Sequence, residues 1–233
     1  MNPTASPPMT AAPHDLFPYF RTVAEMPRPV DWTAFFGNDR PVELDVGCGR
    51  GMFLVNAGAT HPDRNFLGIE LDYKEGRRVA KRLQKRGWDH VRVSGGDAQE
   101  FLRHHVTPQS VDVAHVYFPD PWWKRKHKKR RLFNEEFADL LAKVVKAQGL
   151  VHSWTDVEDY FQVIAALMNH HSDFEPLPCA PLADPAHDLD YQTSFHRRRA
   201  QAGCTIYRGM WRRREISPRL ARNGEKPLAP APL

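Results

Sequence analysis

The chain has little cysteine. Its 233 residues include three, Cys48, Cys179 and Cys204, far apart and without a Cys-x-x-Cys pair. That spacing excludes a zinc ribbon and offers no disulfide framework, so a reducing, cytoplasmic setting is expected. No apolar run reaches the 18 residues that a membrane-spanning helix needs, and no membrane partner is expected. The opening residues, MNPTASPPMTAAPH, lack the basic patch and apolar core of a secretory leader. The histidine pairs His104/His105 and His170/His171 are sequence neighbours. On a helix neighbours do not share a face, whereas i,i+4 ligands do, so no metal site is expected. No Ser/His/Asp arrangement stands out.

At about 150 residues per domain, the length predicts one large domain with extensions. Hydrophobic residues make up 41% and charged residues 26%, as in ordinary soluble proteins. The formal charge is +5, but Lys124–Arg131 alone holds seven lysines and arginines and leaves the remainder at −2. Charge gathered in one place points to a polyanionic partner. Residues 1–29 contain seven prolines. A partly disordered extension is therefore expected over 1–39, with Leu16–Phe20 docked on the body. The folded domain is expected over 40–214 and a polar tail over 215–233.

Short apolar runs at 42–46, 66–71, 91–93, 111–118 and 149–154 read as strands. Helical patterns at 52–59, 73–87, 133–147 and 156–169 alternate with them. This order predicts an α/β fold with a mostly parallel sheet and helices on both faces. A last run, Cys204–Trp211, is expected to close the sheet as an antiparallel C-terminal edge strand.

The first strand runs into Gly47-Cys-Gly49-Arg-Gly51, a turn that lets a ligand approach the backbone closely. An acid stands at or near the end of each strand: Asp45, Glu70, Asp97, Asp120 and Asp156. In an open parallel sheet those ends line one crevice, where ligands bind. Each acid can also serve as a helix N-cap, which fits Asp97 and Asp156 better than Asp45 and Glu70. Converging carboxylates repel unless a cationic or hydroxyl-rich ligand joins them. A nucleoside bearing an ammonium and a sulfonium fits, and S-adenosyl-L-methionine is such a molecule. Asp45 is then expected at its amino-acid end, Glu70 at the ribose and Asp97 at the adenine.

The fourth strand ends in Phe118-Pro119-Asp120-Pro121-Trp122-Trp123. The prolines fix the backbone around Asp120, a rigid acid placed for chemistry. Trp122 or Trp123 is suited to stack on a base. The basic run behind them is suited to phosphates, although such runs are often solvated faces or localisation signals.

Pro119 through Arg131 reads Pro-Asp-Pro-Trp-x-Lys-x-x-His-x-Lys-Arg-Arg. It resembles the signature of bacterial tRNA (guanine-N7)-methyltransferases. Asp45-Val-Gly-Cys-Gly-Arg-Gly, Phe66-Leu-Gly-Ile-Glu70, Gly96-Asp97-Ala98, Trp154-Thr155-Asp156 and Thr193-Ser-Phe195-His196 match the family's other blocks in order, over residues 40–214. The resemblance implies a Rossmann-like class I methyltransferase fold. It also implies methyl transfer from S-adenosylmethionine to N7 of a guanosine in the tRNA variable loop. Asp45, Gly47, Gly49, Glu70, Asp97 and Asp120 fall on donor-binding positions, and Asp120 also on the catalytic one. Lys124, Asp156, Thr193, Ser194, Phe195 and His196 fall on substrate positions. Lys126, His127, Lys128, Lys129, Arg130 and Arg131 fall on an RNA-contacting stretch. His196 stands where the family has glutamate, and imidazole only partly replaces a carboxylate acceptor. Two other readings stay open: an amino-group methyltransferase acting on adenine or cytosine, and a non-catalytic RNA-binding protein with the same fold.

Overall fold

A computed structural model describes residues 16–181 and 192–215. The elements in chain order are β1 (Phe20–Thr22), α1 (Trp32–Phe36), β2 (Val42–Val46), α2 (Met52–Thr60), β3 (Asn65–Glu70), α3 (Tyr73–Arg86), β4 (Val91–Gly95), α4 (Ala98–His104) and β5 (Val111–Tyr117). A 3-10 turn (Arg125–Arg130) follows. Then come α5 (Glu135–Val144), β6 (Val145–Thr155), α6 (Glu158–His170), β7 (Phe174–Leu177), α7 (Ser194–Gln201) and β8 (Tyr207–Arg213). They form one sheet in the order β1-β4-β3-β2-β5-β6-β8-β7. Pairing is parallel from β1 to β6 and antiparallel for β6/β8 and β8/β7.

Helices cover both faces because the strands alternate. Val42, Leu44 and Val46 of β2 join Leu67, Ile69, Ala114 and Val116 in a core capped by α1, α4, α5 and α6. On the other face Phe66, Val91 and Val93 pack under α2 and α3. The intervening β2 residues on that face, Glu43 and Asp45, are both buried. Burying two acids in a central strand is costly unless each finds compensation. Helix ends follow local chemistry. Asp72 accepts from Lys74 N to start α3, Gly87 closes it in the left-handed conformation, and Asn134 and Thr193 cap α5 and α7.

Two expectations are corrected. The run at Cys204–Trp211 was expected at the edge. It forms β8, antiparallel as expected, but inside the sheet between β6 and β7. Its Trp211 is 2% exposed and donates its indole N–H to Asn169 Oδ1 at 2.7 Å. The true edge is β7, and its Pro176 suits an edge because proline cannot serve a ladder on both sides. The second correction concerns the extension over 1–39. Residues 20–36 belong to the packed domain: β1 pairs with β4 from Phe20↔Val93 to Thr22↔Gly95, and Phe36 and Val30 are buried. Gly95 makes this possible, since a Cβ there would come within 2.7 Å of the Phe20 ring. Short strands and helices (β1, α1, α4, β7, α7) had no periodicity long enough to read. Residues 1–15 and the tail beyond 215 lie outside the described residues.

Phe20→Ala is expected to lower unfolding free energy by about 3 kcal/mol in urea titration, the usual loss for a buried phenylalanine. An unchanged midpoint would return residues 16–22 to the status of an appendage.

Candidate active site

Chain order reverses at β2: β3 and β4 lie to one side of it and β5 to the other. In such sheets the crevice outside the strand ends is the ligand site. Here the ends of β2, β3, β4 and β5 line a cleft of about 390 Å³ that includes Gly47, Glu70, Leu71, Asp97, Tyr117, Asp120, Trp122 and Arg130. Of the five strand-end acids, Glu70, Asp97 and Asp120 therefore share one cleft. Asp45 lies in an adjoining hollow of about 220 Å³, which shares Gly47, Tyr117 and Phe118 with it. Asp156 lines neither.

The glycine loop forms the divide between the two spaces. Gly47 and Gly49 adopt φ of 78° and 51°, a region that costs other L-residues strain. No atom lies within 4 Å of the place a Cβ would take at Gly47, so the backbone lies open to a ligand. Glu70 holds this loop: its Oε2 accepts from Gly49 N at 2.7 Å and its Oε1 from Asp72 N at 2.9 Å. A carboxylate has about four acceptor positions, so two remain for a ligand hydroxyl. Asp97 caps α4 by accepting from Glu100 N at 3.0 Å while standing exposed at the cleft rim. The N-cap reading and the cleft reading of Asp97 thus hold together.

Asp45 is 3% exposed. Burial, and then the neighbouring Glu70 charge, push its carboxyl up to about 8. The same surroundings push the Cys48 thiol far up, burial first and then Asp45 and Glu70, which leaves it an inert filler. On the same face lies a network with no counterpart in the sequence reading. His115 Nε2 meets Glu43 Oε2 at 2.7 Å, and His115 Nδ1 meets the Tyr117 hydroxyl at 2.9 Å. Arg64 pairs with Glu43 from the surface side. Although burial raises Glu43, the His115 and Arg64 contacts outweigh it and hold the carboxyl below its usual value. The network fixes the Tyr117 ring, which walls both the cleft and the Asp45 hollow. The polar alternation His115-x-Tyr117 was its only trace in the sequence.

The Asp120 loop is strained and braced. Phe118 and Trp122 have φ of 52° and 42°, uncommon for bulky residues and typical of over-determined functional sites. Phe118 N donates to Trp154 O at 2.7 Å. Arg131 Nε donates to Pro121 O at 2.7 Å, and its guanidinium lies 4.5 Å from the centre of the buried Tyr160 ring. Arg130 stacks over Trp122 at 5.2 Å, and the His127 ring meets Trp122 edge-on at 5.8 Å. The basic run therefore divides. Arg130 and Arg131 turn toward the loop they follow, while Lys124, Lys126 and Lys129 are exposed. The two tryptophans divide likewise: Trp122 is held, and Trp123 is 68% exposed. Asp120, Trp122, Trp123, Lys124 and His127 line a further hollow of about 460 Å³. Asp120 and Trp122 thus form the boundary between this hollow and the main cleft.

A family model described as "Putative methyltransferase" matches residues 39–209. The chain is 34% identical over 209 residues to a tRNA (guanine-N(7)-)-methyltransferase of Rhodopirellula baltica, covering 86% of this chain and 76% of that one. A protein of the same name from Yersinia enterocolitica is 33% identical, over 83% of this chain and 81% of its own. The chain belongs to the tRNA (guanine-N7)-methyltransferase family. Solved structures show the class I methyltransferase fold at lower identity. The antibiotic-resistance methyltransferase Kmr superposes with TM-score 0.52 at 16% identity, over 80% of this chain and 93% of that one. A SAM-dependent O-methyltransferase from Thermotoga maritima gives 0.51 at 15%, over 77% and 61%.

α7 brings Thr193, Ser194, Phe195 and Arg198 to the hollow beside the glycine loop. His196 turns the other way. It is 5% exposed, packs edge-on against Trp154 at 5.1 Å, and its Nδ1 accepts from Gln192 N at 3.2 Å. Burial, and then the Arg208 charge, lower its affinity for a proton. At that position the chain has a packed neutral ring rather than a group facing the cleft. Asp156 is taken up by Arg199 of α7 at 2.6 Å, a contact that ties α7 to the end of β6. Among the described residues no cluster of His, Cys, Asp or Glu could hold a metal ion.

Asp45 sets a pH dependence. Its folded-state value of about 8 lies above the ordinary aspartate value of about 3.8. The native protein therefore retains a proton that the unfolded chain loses, and stability must fall as pH rises from about 4 to about 8. Urea unfolding across that range is expected to show this slope, and Asp45→Asn to remove most of it. An identical slope in the variant would show that Asp45 ionises normally in the fold.

Proposed function

We infer that this chain methylates N7 of a guanosine in tRNA, expected in the variable loop, with S-adenosyl-L-methionine as methyl source. The observation that carries the reading is the position of Asp120. It stands on the boundary of two spaces: an acid-lined cleft at the switch point and a tryptophan-walled hollow followed by exposed lysines. A methyl donor in the first and a purine in the second would meet beside this carboxylate.

The residues present fit the donor. Glu70 keeps acceptor positions for ribose hydroxyls, Asp97 lies at the rim suited to the adenine, and Gly47 and Gly49 allow close approach. Glu70 supplies negative charge, and Asp45, which keeps its proton in the free protein, can ionise against a cationic amino-acid end. When bound, S-adenosylmethionine supplies an electrophilic methyl group on a sulfonium. Guanine N7 carries a lone pair and no proton, so the chain needs no general base. Its task is alignment, together with charge placed where the purine becomes positive. Asp120, kept rigid by its two prolines and the Arg131 brace, is the group suited to accept from the guanine edge and to offset that charge. Trp123 offers an aromatic face, and Lys124, Lys126 and Lys129 offer phosphate contacts. No helix among the described residues is long and apolar enough to cross a membrane. A tRNA substrate supports a cytoplasmic location.

The test is incubation with labelled donor and unmodified tRNA, followed by mass spectrometry of the nucleosides. 7-Methylguanosine is expected. Methylated adenosine or cytidine would shift the reading to amino-group transfer, and donor binding without transfer would leave an RNA-binding protein. Asp120→Asn is expected to cut turnover by about 100-fold or more, well beyond its effect on donor affinity. Turnover near wild type would remove Asp120 from the chemistry.

A further inference from the structure

A second block of positive charge lies outside the site just described. α3 carries seven lysines and arginines against one acid, Glu75. With α3 and residues 124–131 both set aside, the rest of the chain carries a formal −8. The helix buries Gly76, Val79, Ala80 and Leu83, which turns the charged side outward. Lys74, Arg78, Lys81, Arg82, Lys85 and Arg86 are exposed. Neutralisation within the helix is slight. Arg78 pairs with Glu75, whereas Arg82 hydrogen bonds to the Arg50 carbonyl and Arg86 lies over the Trp88 ring. Like charges four apart on a helix repel. A face built this way is favoured by an external polyanion rather than by its own chain.

Its location gives that polyanion a path. α3 begins two residues past Leu71, a residue of the cleft wall, and at about 1.5 Å per residue it extends about 21 Å from there. The Arg82 contact ties it to the glycine loop. Sheet order puts β3 and β4, with α3, on one side of β2, and β5 with the Asp120 loop and its lysines on the other. Cations therefore flank the cleft on both sides.

We propose that the outward face of α3 is a second RNA-binding surface, holding backbone phosphates on the side of the cleft opposite the 124–131 turn. The proposal rests on tRNA being the substrate. Contacts of this kind set register and affinity without reading sequence.

The test variant combines Lys74→Gln, Lys81→Gln and Lys85→Gln. These residues lie outside the cleft, and glutamine matches lysine in helix propensity. Binding of labelled tRNA is read by fluorescence anisotropy without donor, from about 50 to about 200 mM salt. The slope of log Kd against log salt is expected to become shallower by about 2 to 3, and Kd at physiological salt to rise about tenfold or more. Donor affinity and turnover at saturating tRNA are expected to stay at wild-type values, and the corresponding triple arginine variant to retain the wild-type slope. An unchanged slope and Kd in the glutamine variant would overturn the proposal, as would equal losses in the arginine variant. Binding is read without turnover. A wild-type protein that binds tRNA but fails to methylate it would count against the reaction and not against this surface.

Discussion

A buried carboxyl group sits at the centre of this fold. Asp45 lies in a central strand of the sheet, 3% exposed, and feels the like charge of Glu70. Neither burial nor a like charge favours its ionised form. A retained proton meets that cost in the free protein, and a cation at the strand ends, as the proposed donor would bring, would let the group ionise. Glu70 pins the glycine loop that borders it, Tyr117 walls it, and the Glu43–His115 pair keeps Tyr117 in place. Asp45 is thus held protonated in the free protein, while Glu70 and Glu43 find hydrogen-bond partners.

The second element is a loop that has to be rigid. Asp120 follows one residue of positive φ and precedes another, between prolines, and Arg131 reaches back to hold Pro121. The chain spends two of its cations, Arg130 and Arg131, on that geometry and leaves lysines for the solvent side. A charge run that looks uniform in sequence therefore does two physically distinct things. α3 is the complementary case: several of its arginines are engaged locally, while Lys74, Lys81 and Lys85 are exposed.

Much of this was legible from the residues. The alternation of apolar runs with 3–4 spaced helices gave the parallel sheet, and acids at successive strand ends marked its carboxyl edge. Glu70, Asp97 and Asp120 share one cleft, and Asp45 adjoins it. What escaped was set by contacts remote in sequence. β7 and β1 are too short to show a period, and β8 reads as an edge until β7 pairs with it. His196 sits in a block that reads as a substrate segment, yet its ring packs against Trp154. Asp156 stands at a strand end like the others, and only the fold brings Arg199 to it. Side-chain direction at a helix start depends on what the helix covers, which local pattern does not encode.

The account turns on whether the buried carboxyl meets a cation. Titration calorimetry of S-adenosylmethionine near neutral pH, in buffers of different ionisation enthalpy, measures protons exchanged on binding. Wild-type protein should release a proton as Asp45 ionises against the ligand, and Asp45→Asn should bind more weakly without that release. Binding with the same proton balance in both proteins would mean that Asp45 does not meet the donor's charge.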